Sequence, residues 1–117
     1  MGTSTANQDL ERTALYADRF AALGAEPRLR IVRLLLAAHP QGLVVREVQK
    51  ALHLTPSTLS HHLEKLKNDD LVTVSREGTF LRYRANVRAL QDVLQFLYAE
   101  CCSKSRNTRT GKMRICP

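Results

Sequence analysis

Apolar residues recur at helical spacing along the first half of the chain and predict three helices. The first, over residues 8–23, follows from apolar positions three or four apart, which are Leu10, Ala14, Ala17 and Ala21, with Leu15, Phe20 and Leu23 beside them. Pro27 begins a second helix, because proline is tolerated in the first helical turn, and Pro40-Gln41-Gly42 ends it. A short third helix is predicted from Leu43 to Leu52.

A fourth helix has an unusual outer face. Thr55 is a good N-cap, Pro56 suits the first helical position, and a narrow stripe of leucines faces inward. The opposite face carries mostly short polar side chains, which are Ser57, Thr58, Ser60, His61, Glu64 and Lys65. Short donors and acceptors let a helix approach base edges in the major groove of DNA, so this face favours base reading over a plain solvated surface.

Alternating apolar and polar residues then predict a hairpin. Its strands cover residues 71–76 and 79–84 and are joined by Glu77-Gly78, and a last helix follows from Val87 to Cys102. The predicted fold is therefore mainly α with a small β-hairpin, in the order α-α-α-α-β-β-α. This order is typical of a winged helix-turn-helix, in which the hairpin is the wing.

Length and charge refine this picture. A chain of 117 residues is expected to form a single domain, here residues 1–102, followed by a basic tail over residues 103–117. The net charge is +7, and the tail holds five basic residues and no acidic one. The tail is expected to be flexible and to add DNA affinity without reading sequence. No acid–base pair, glycine-rich phosphate loop or nucleophile–histidine arrangement stands out, so an enzyme is not expected.

The cysteines and the start of the chain bear on location. The first eight residues are polar, without the apolar segment of a secretory signal, and no stretch is apolar enough to span a bilayer. Cys101, Cys102 and Cys116 are a poor disulfide framework. The cytoplasm is therefore the expected location, where thiols stay reduced.

Three segments carry a family resemblance. PRLRIVRLLL, LHLTPSTLSHHLEKLKNDDLV and REGTFLRYR resemble the winged-helix ArsR/SmtB family of metal-responsive repressors, over roughly residues 8–102. The resemblance implies a homodimer joined by its first and last helices, bound to a palindromic double-stranded operator and released by an inducer. It also implies DNA contacts by Ser57, Thr58, Ser60 and His61, a phosphate contact by Lys65, and wing contacts by Arg76, Thr79 and Arg82. His62 matches an inward-packing, structural position.

The inducer site departs from the family pattern. The predicted helix from Leu43 to Leu52 lacks the Cys-x-Cys pair of arsenic sensors, and no histidine follows His62, so the last helix lacks a zinc site. Cys101 and Cys102 remain, with Cys116 as a potential third ligand. Soft thiolates select thiophilic centres: three sulfurs suit arsenite or trivalent antimony, and two suit a monosubstituted organoarsenical.

Several alternatives to this trivalent arsenic sensor stay open. The same thiols would suit redox sensing or another soft metal, and Cys101 would also serve as a small core residue with no ligand. A winged helix used as a protein- or RNA-interaction module, without an inducer, is an alternative from another class. No cofactor is required under any of these interpretations.

Overall fold

The computed structural model describes residues 5–102, apart from the side chains of Thr5, Glu100 and Cys102. The elements are α1 (Thr5–Leu23), α2 (Glu26–Ala37), β1 (Leu43–Val44), α3 (Val45–Leu52), α4 (Pro56–Asn68), β2 (Val72–Glu77), β3 (Phe80–Ala85) and α5 (Val87–Cys102). This order confirms the predicted winged helix-turn-helix and adds one strand. The predicted basic tail and Cys116 lie outside the described residues.

The predicted start of the third helix is wrong by two residues. Leu43 and Val44 form β1, which pairs antiparallel with β3, and α3 begins at Val45. The backbone N–H of Val44 donates to the Glu47 carboxylate at 2.9 Å and so caps the new helix. The sheet therefore has three strands in the order β1-β3-β2, and it ties the helix-turn-helix to the wing.

The wing is formed by β2, β3 and the turn between them. Both strands begin one residue later than predicted, with Val74 opposite Tyr83 and Ser75 opposite Arg82. Gly78 supplies the left-handed conformation that the turn needs, with φ of 64°. At the base of the wing Gly42 is buried with φ of 73°, and a Cβ there would collide with the backbone of Tyr83.

The core explains why α4 turns its polar face outward. Leu59, Leu63 and Leu66 of α4 are almost wholly buried beside Ile31 and Leu35 of α2. Burying each such side chain contributes about 1.5–3 kcal/mol, so rotation of α4 about its axis is strongly opposed. None of the helices within residues 5–102 is long and apolar enough to cross a membrane.

Helices α1 and α5 leave large apolar side chains uncovered. Leu10, Leu94 and Leu97 are exposed by 66%, 50% and 56%. Where α1 and α5 meet, the ring of Tyr16 stacks on that of Phe96 with 4.4 Å between centroids. One side of the α1–α5 pair thus packs on the molecule itself, and an apolar stripe faces away from it.

Candidate nucleic-acid interface

A short link between α3 and α4 sets their relative orientation. His53 adopts the left-handed conformation after α3, with φ of 55°, and its N–H donates to the Gln49 carbonyl at 2.8 Å. Thr55 caps α4 by accepting the Thr58 N–H at 3.4 Å, and its hydroxyl lies 2.9 Å from that of Thr58. Thr58, one of the predicted contact residues, is therefore engaged in the cap.

The recognition face of α4 is the set of exposed residues Ser57, Thr58, Ser60, His61 and Lys65. The structure brings all five together on one exposed surface, opposite the buried leucines. The Lys65 ammonium lies 3.2 Å from the Asp69 carboxylate, as an ion pair rather than a directed hydrogen bond. The N-terminal half of the face carries serine hydroxyls and an imidazole, groups suited to base edges and phosphates.

His61 and His62 differ in burial, since His61 is exposed and His62 is half-buried. The Nδ1 atom of His62 lies 3.4 Å from the Arg28 guanidinium. Burial, then the positive charge of Arg28 and then that of His61, lower the pKa of His62 below its usual value. The two imidazole centroids are 5.5 Å apart and tilted by 56°.

The predicted contact residues of the wing fall into two groups. Arg76 and Thr79 are exposed near its tip. Arg82 is half-buried: its Nε lies 2.9 Å from both carboxylate oxygens of Glu77, and its Nη1 donates to the Gly42 carbonyl at 3.3 Å. The predicted contact residue Arg82 is thus already paired within the protein.

Sequence reasoning missed the role of Glu77, which was expected only in the turn. Its carboxylate also lies 3.8 Å from the Arg84 guanidinium, which in turn donates to the Ser75 hydroxyl at 2.9 Å. The signal that could have indicated this pairing is that Glu77 is the one acidic residue in the predicted hairpin, which also contains three arginines. Side chains alternate along a strand, so Glu77 and Ser75 lie on one face of β2. Arg76 lies on the other face, which also carries the buried Val72.

Cys101 lies on the apolar stripe of α5. It is exposed, and it follows Leu94 and Leu97 at helical spacing. A groove of about 250 Å³ between α1 and α5 extends to Ala99, two residues before Cys101, and is lined by Asp9, Arg12, Thr13, Phe96, Leu97 and Ala99. Cys102 closes α5, and within the described part of the chain no three His, Cys, Asp or Glu side chains are grouped to hold a metal.

The fold and the surface together define a winged helix-turn-helix DNA-binding protein. It has a helix with an exposed polar face, a tight turn before that helix, and a hairpin that carries arginines. Residues 26–74 match the family described as "Bacterial regulatory protein, arsR family". The chain belongs to this arsR family of bacterial regulatory proteins.

Similar proteins agree with this assignment. The transcriptional repressor SdpR of Bacillus subtilis is 26% identical over 78 residues, which are 67% of this chain and 83% of SdpR. The structure of HlyU from Vibrio cholerae is 32% identical with a TM-score of 0.61, over 75% of this chain and 96% of HlyU. The homodimeric winged helix-turn-helix DNA-binding domain of Mb0332 from Mycobacterium bovis is 26% identical with a TM-score of 0.66, over 92% and 98% of the two chains.

Proposed function

We propose that the protein is a cytoplasmic, dimeric transcriptional repressor that leaves its operator when a trivalent arsenical binds Cys101 and Cys102. The observation that carries the DNA-binding part is the recognition face, whose polar side chains are held outward by buried leucines. Family membership supports a regulatory role, and the relative SdpR is named a transcriptional repressor.

The uncovered stripe on α1 and α5 supports the dimer. Leu10, Leu94 and Leu97 are large apolar side chains that are each at least half exposed on two neighbouring helices, and grouped exposed apolar side chains mark protein–protein interfaces. A dimer formed through this stripe buries it against its own copy, and we expect the two recognition faces to reach successive major grooves, about 34–36 Å apart. The similar domain of Mb0332 is described as homodimeric.

The thiols at the end of α5 support the choice of inducer. Vicinal sulfurs bind soft, thiophilic centres, and Cys101 is exposed on the stripe that forms the proposed interface. A ligand that draws both sulfurs together must distort the last helical turn, because adjacent side chains on a helix point about 100° apart. By linkage, a ligand that disfavours the DNA-bound geometry is itself bound less tightly on DNA.

The test begins with an operator selected from random DNA and uses fluorescence anisotropy. Arsenite, phenylarsine oxide, zinc and peroxide are titrated into the preformed complex. Release by the arsenicals in the wild type, and its loss in Cys101→Ser and Cys102→Ser variants that still bind DNA, is the expected result. Arsenical release that is unchanged in both variants removes the site from these residues, and release by peroxide alone indicates a redox sensor.

Cys116 separates the two kinds of arsenical. It lies 14 residues beyond Cys102, a separation that closes as a loop at modest entropic cost. If arsenite is the inducer, a third sulfur is needed, and Cys116→Ser weakens the response. If an organoarsenical is the inducer, carbon fills the third valence of arsenic and the response of Cys116→Ser equals that of the wild type.

A further inference from the structure

A cluster of two aromatic rings and two arginines occupies the contact between α1 and α5, and neither DNA binding nor thiol chemistry accounts for it. Tyr16 stacks on Phe96 at 4.4 Å with the ring planes 19° apart. The Arg12 guanidinium lies 5.4 Å from the Phe96 centroid, and the Arg19 guanidinium lies 5.6 Å from the Tyr16 centroid. We call Arg12, Tyr16, Arg19 and Phe96 the cation–aromatic cluster.

Arg19 connects this cluster to the C-terminal end of α4, the helix that carries the recognition face. Its Nε donates to the Asp69 carbonyl at 3.2 Å, and its Nη2 lies 3.6 Å from the Asp70 carboxylate. Asp69 is the C-cap of α4, where backbone carbonyls lack helical partners and attract a cation. The Arg19 side chain is only 12% exposed, so this contact is better shielded from solvent than an ordinary surface pair.

The other end of the cluster lies on α5, five residues before Cys101. Phe96 lines the groove between α1 and α5, and so does Leu97, which lies one turn before Cys101. A ligand that distorts the last turn of α5 therefore acts on the segment that carries Phe96. A continuous series of contacts runs from there through Tyr16 and Arg19 to the C-terminal end of α4.

A second arginine holds α4 nearer its middle. Arg28 of α2 donates to the Ala22 carbonyl at the end of α1 at 2.7 Å and lies 3.4 Å from His62. The hydrogen bonds of Arg28 go to α1 and to His62, and none within the described residues goes to α5. The contact at Asp69, in contrast, belongs to a series that reaches Phe96 of α5, so a movement of Phe96 acts most directly on the C-terminal end of α4.

We propose that Arg19 is a positioning residue that transmits ligand binding at the end of α5 to the recognition helix through Phe96 and Tyr16, an inference that rests on the proposed function. When Phe96 moves, the stack on Tyr16 loosens and Arg19 withdraws from Asp69. The C-terminal end of α4 then swings about the Arg28–His62 contact. The recognition face no longer matches the operator, although the core leucines stay buried.

The first experiment compares two arginines of the same cluster. Arg19→Gln and Arg19→Lys remove the directed contact with Asp69, whereas Arg12→Gln removes a cation from the same rings without touching α4. The quantity measured is the ratio of operator affinity without and with saturating phenylarsine oxide. An effector coupling of this kind is typically about 5- to 150-fold. We expect both Arg19 variants to lower the ratio at least about fivefold, and Arg12→Gln to keep it within about twofold of the wild type.

Equal ratios in the wild type and in both Arg19 variants, each shown to be folded by circular dichroism, overturn the proposal. A loss of equal size in Arg12→Gln also overturns it, because the effect would then belong to the charge of the cluster and not to the contact with α4. Failure of phenylarsine oxide to release the wild type is a different result, and it refutes the proposed inducer.

The second experiment needs no inducer and separates the two proposals fully. Phe96→Leu removes the aromatic stack while keeping an apolar side chain, and amide NMR spectra report its effect on Asp69 and Asp70. We expect clear shifts of these amides in the wild-type background and their absence in the Arg19→Gln background. Equal shifts in both backgrounds overturn the role of Arg19, whatever the arsenical does.

Discussion

Two arginines of the wing have the same charge and different surroundings. Arg76 is exposed, while Arg82 is held by Glu77 and by the Gly42 carbonyl. A guanidinium that is already paired gives up existing contacts when it meets a phosphate, so its net gain is smaller than that of a free one. We therefore expect the position of each charge, more than the net charge, to determine how strongly the wing binds DNA.

This difference predicts unequal effects on DNA affinity. Arg76→Gln is expected to weaken operator and random DNA alike and to reduce the slope of log affinity against log salt by about 1. Arg82→Gln is expected to have a smaller effect, and Glu77→Gln is expected to strengthen binding to both DNAs by freeing Arg82. Anisotropy titrations at several salt concentrations measure all three. A larger loss in Arg82→Gln than in Arg76→Gln would contradict the assignment.

The recognition face allows a sharper prediction. Ser60→Ala and His61→Ala are each expected to cost about 1–3 kcal/mol of operator binding and to leave random-DNA binding nearly unchanged, because base contacts carry the specificity. Asn68→Ala, at the far end of the same helix, is the matched control and should retain operator affinity. Competition titrations with operator and random DNA measure the difference. Operator affinity that survives both changes would exclude these side chains from base reading.

Among the helices, α4 is held at two separate points. Arg28 contacts His62 near its middle, and Arg19 contacts Asp69 at its C-cap. Both arginines also satisfy or approach carbonyls at helix ends, which is where a cation is most favourable. Helix α4 is thus fixed in orientation by its buried leucines and in tilt by these two polar contacts.

The lowered pKa of His62 predicts a pH dependence of stability. The folded protein disfavours the imidazolium form, whereas the unfolded chain takes up the proton near the ordinary value of 6.5. The free energy of unfolding should therefore fall as the pH drops below about 6.5. His62→Gln should make this decline shallower. Urea unfolding at pH 7.5 and at pH 5.5 measures the two slopes, and parallel slopes would refute the role of His62.

The helical pattern could be predicted from the sequence because each helix has an apolar stripe of ordinary length. Strand β1 could not, since Leu43 and Val44 are too short a segment to show a period and their partner lies on distant β3. The recognition face followed from the leucine spacing of α4. The pairing of Arg82 with Glu77 and the contact of Arg19 with Asp69 did not follow, because both depend on side-chain geometry across a turn or between separate helices.

At the scale of the whole molecule, the uncovered stripe on α1 and α5 is the proposed dimer interface. Leu94→Glu is expected to give a monomer in sedimentation at micromolar concentration, because the two-fold axis repeats each leucine. Covering the exposed half of two Leu94 side chains contributes about 1.5–3 kcal/mol, and a carboxylate at this position opposes burial. Operator affinity should fall with it. Leu36→Glu, the same change at a leucine of α2 that is 40% exposed, should remain dimeric. A dimer that persists in Leu94→Glu would place the interface elsewhere.

The basic tail lies outside the described residues and carries five of the excess positive charges. Ending the chain after residue 102 is expected to lower affinity for operator and random DNA by a similar factor at low salt, because the lost lysines and arginines would contact phosphates rather than bases. The same titration at high salt should show little difference. A loss confined to the operator would mean that the tail reads bases.

Gly42 has a consequence for genetic screens of this protein. It is buried, has a positive φ, and would bring a Cβ against Tyr83 and within 2.7 Å of the Arg84 side chain. Almost any replacement must push β1 away from β3 and so detach the wing from the helix-turn-helix. In a saturation library scored by reporter derepression, substitutions at position 42 should be tolerated as poorly as those on the recognition face, although Gly42 is buried within the protein. Sorting the same library for folded protein should distinguish the two kinds of allele, since substitutions at Ser60 or His61 keep the protein abundant and those at Gly42 do not.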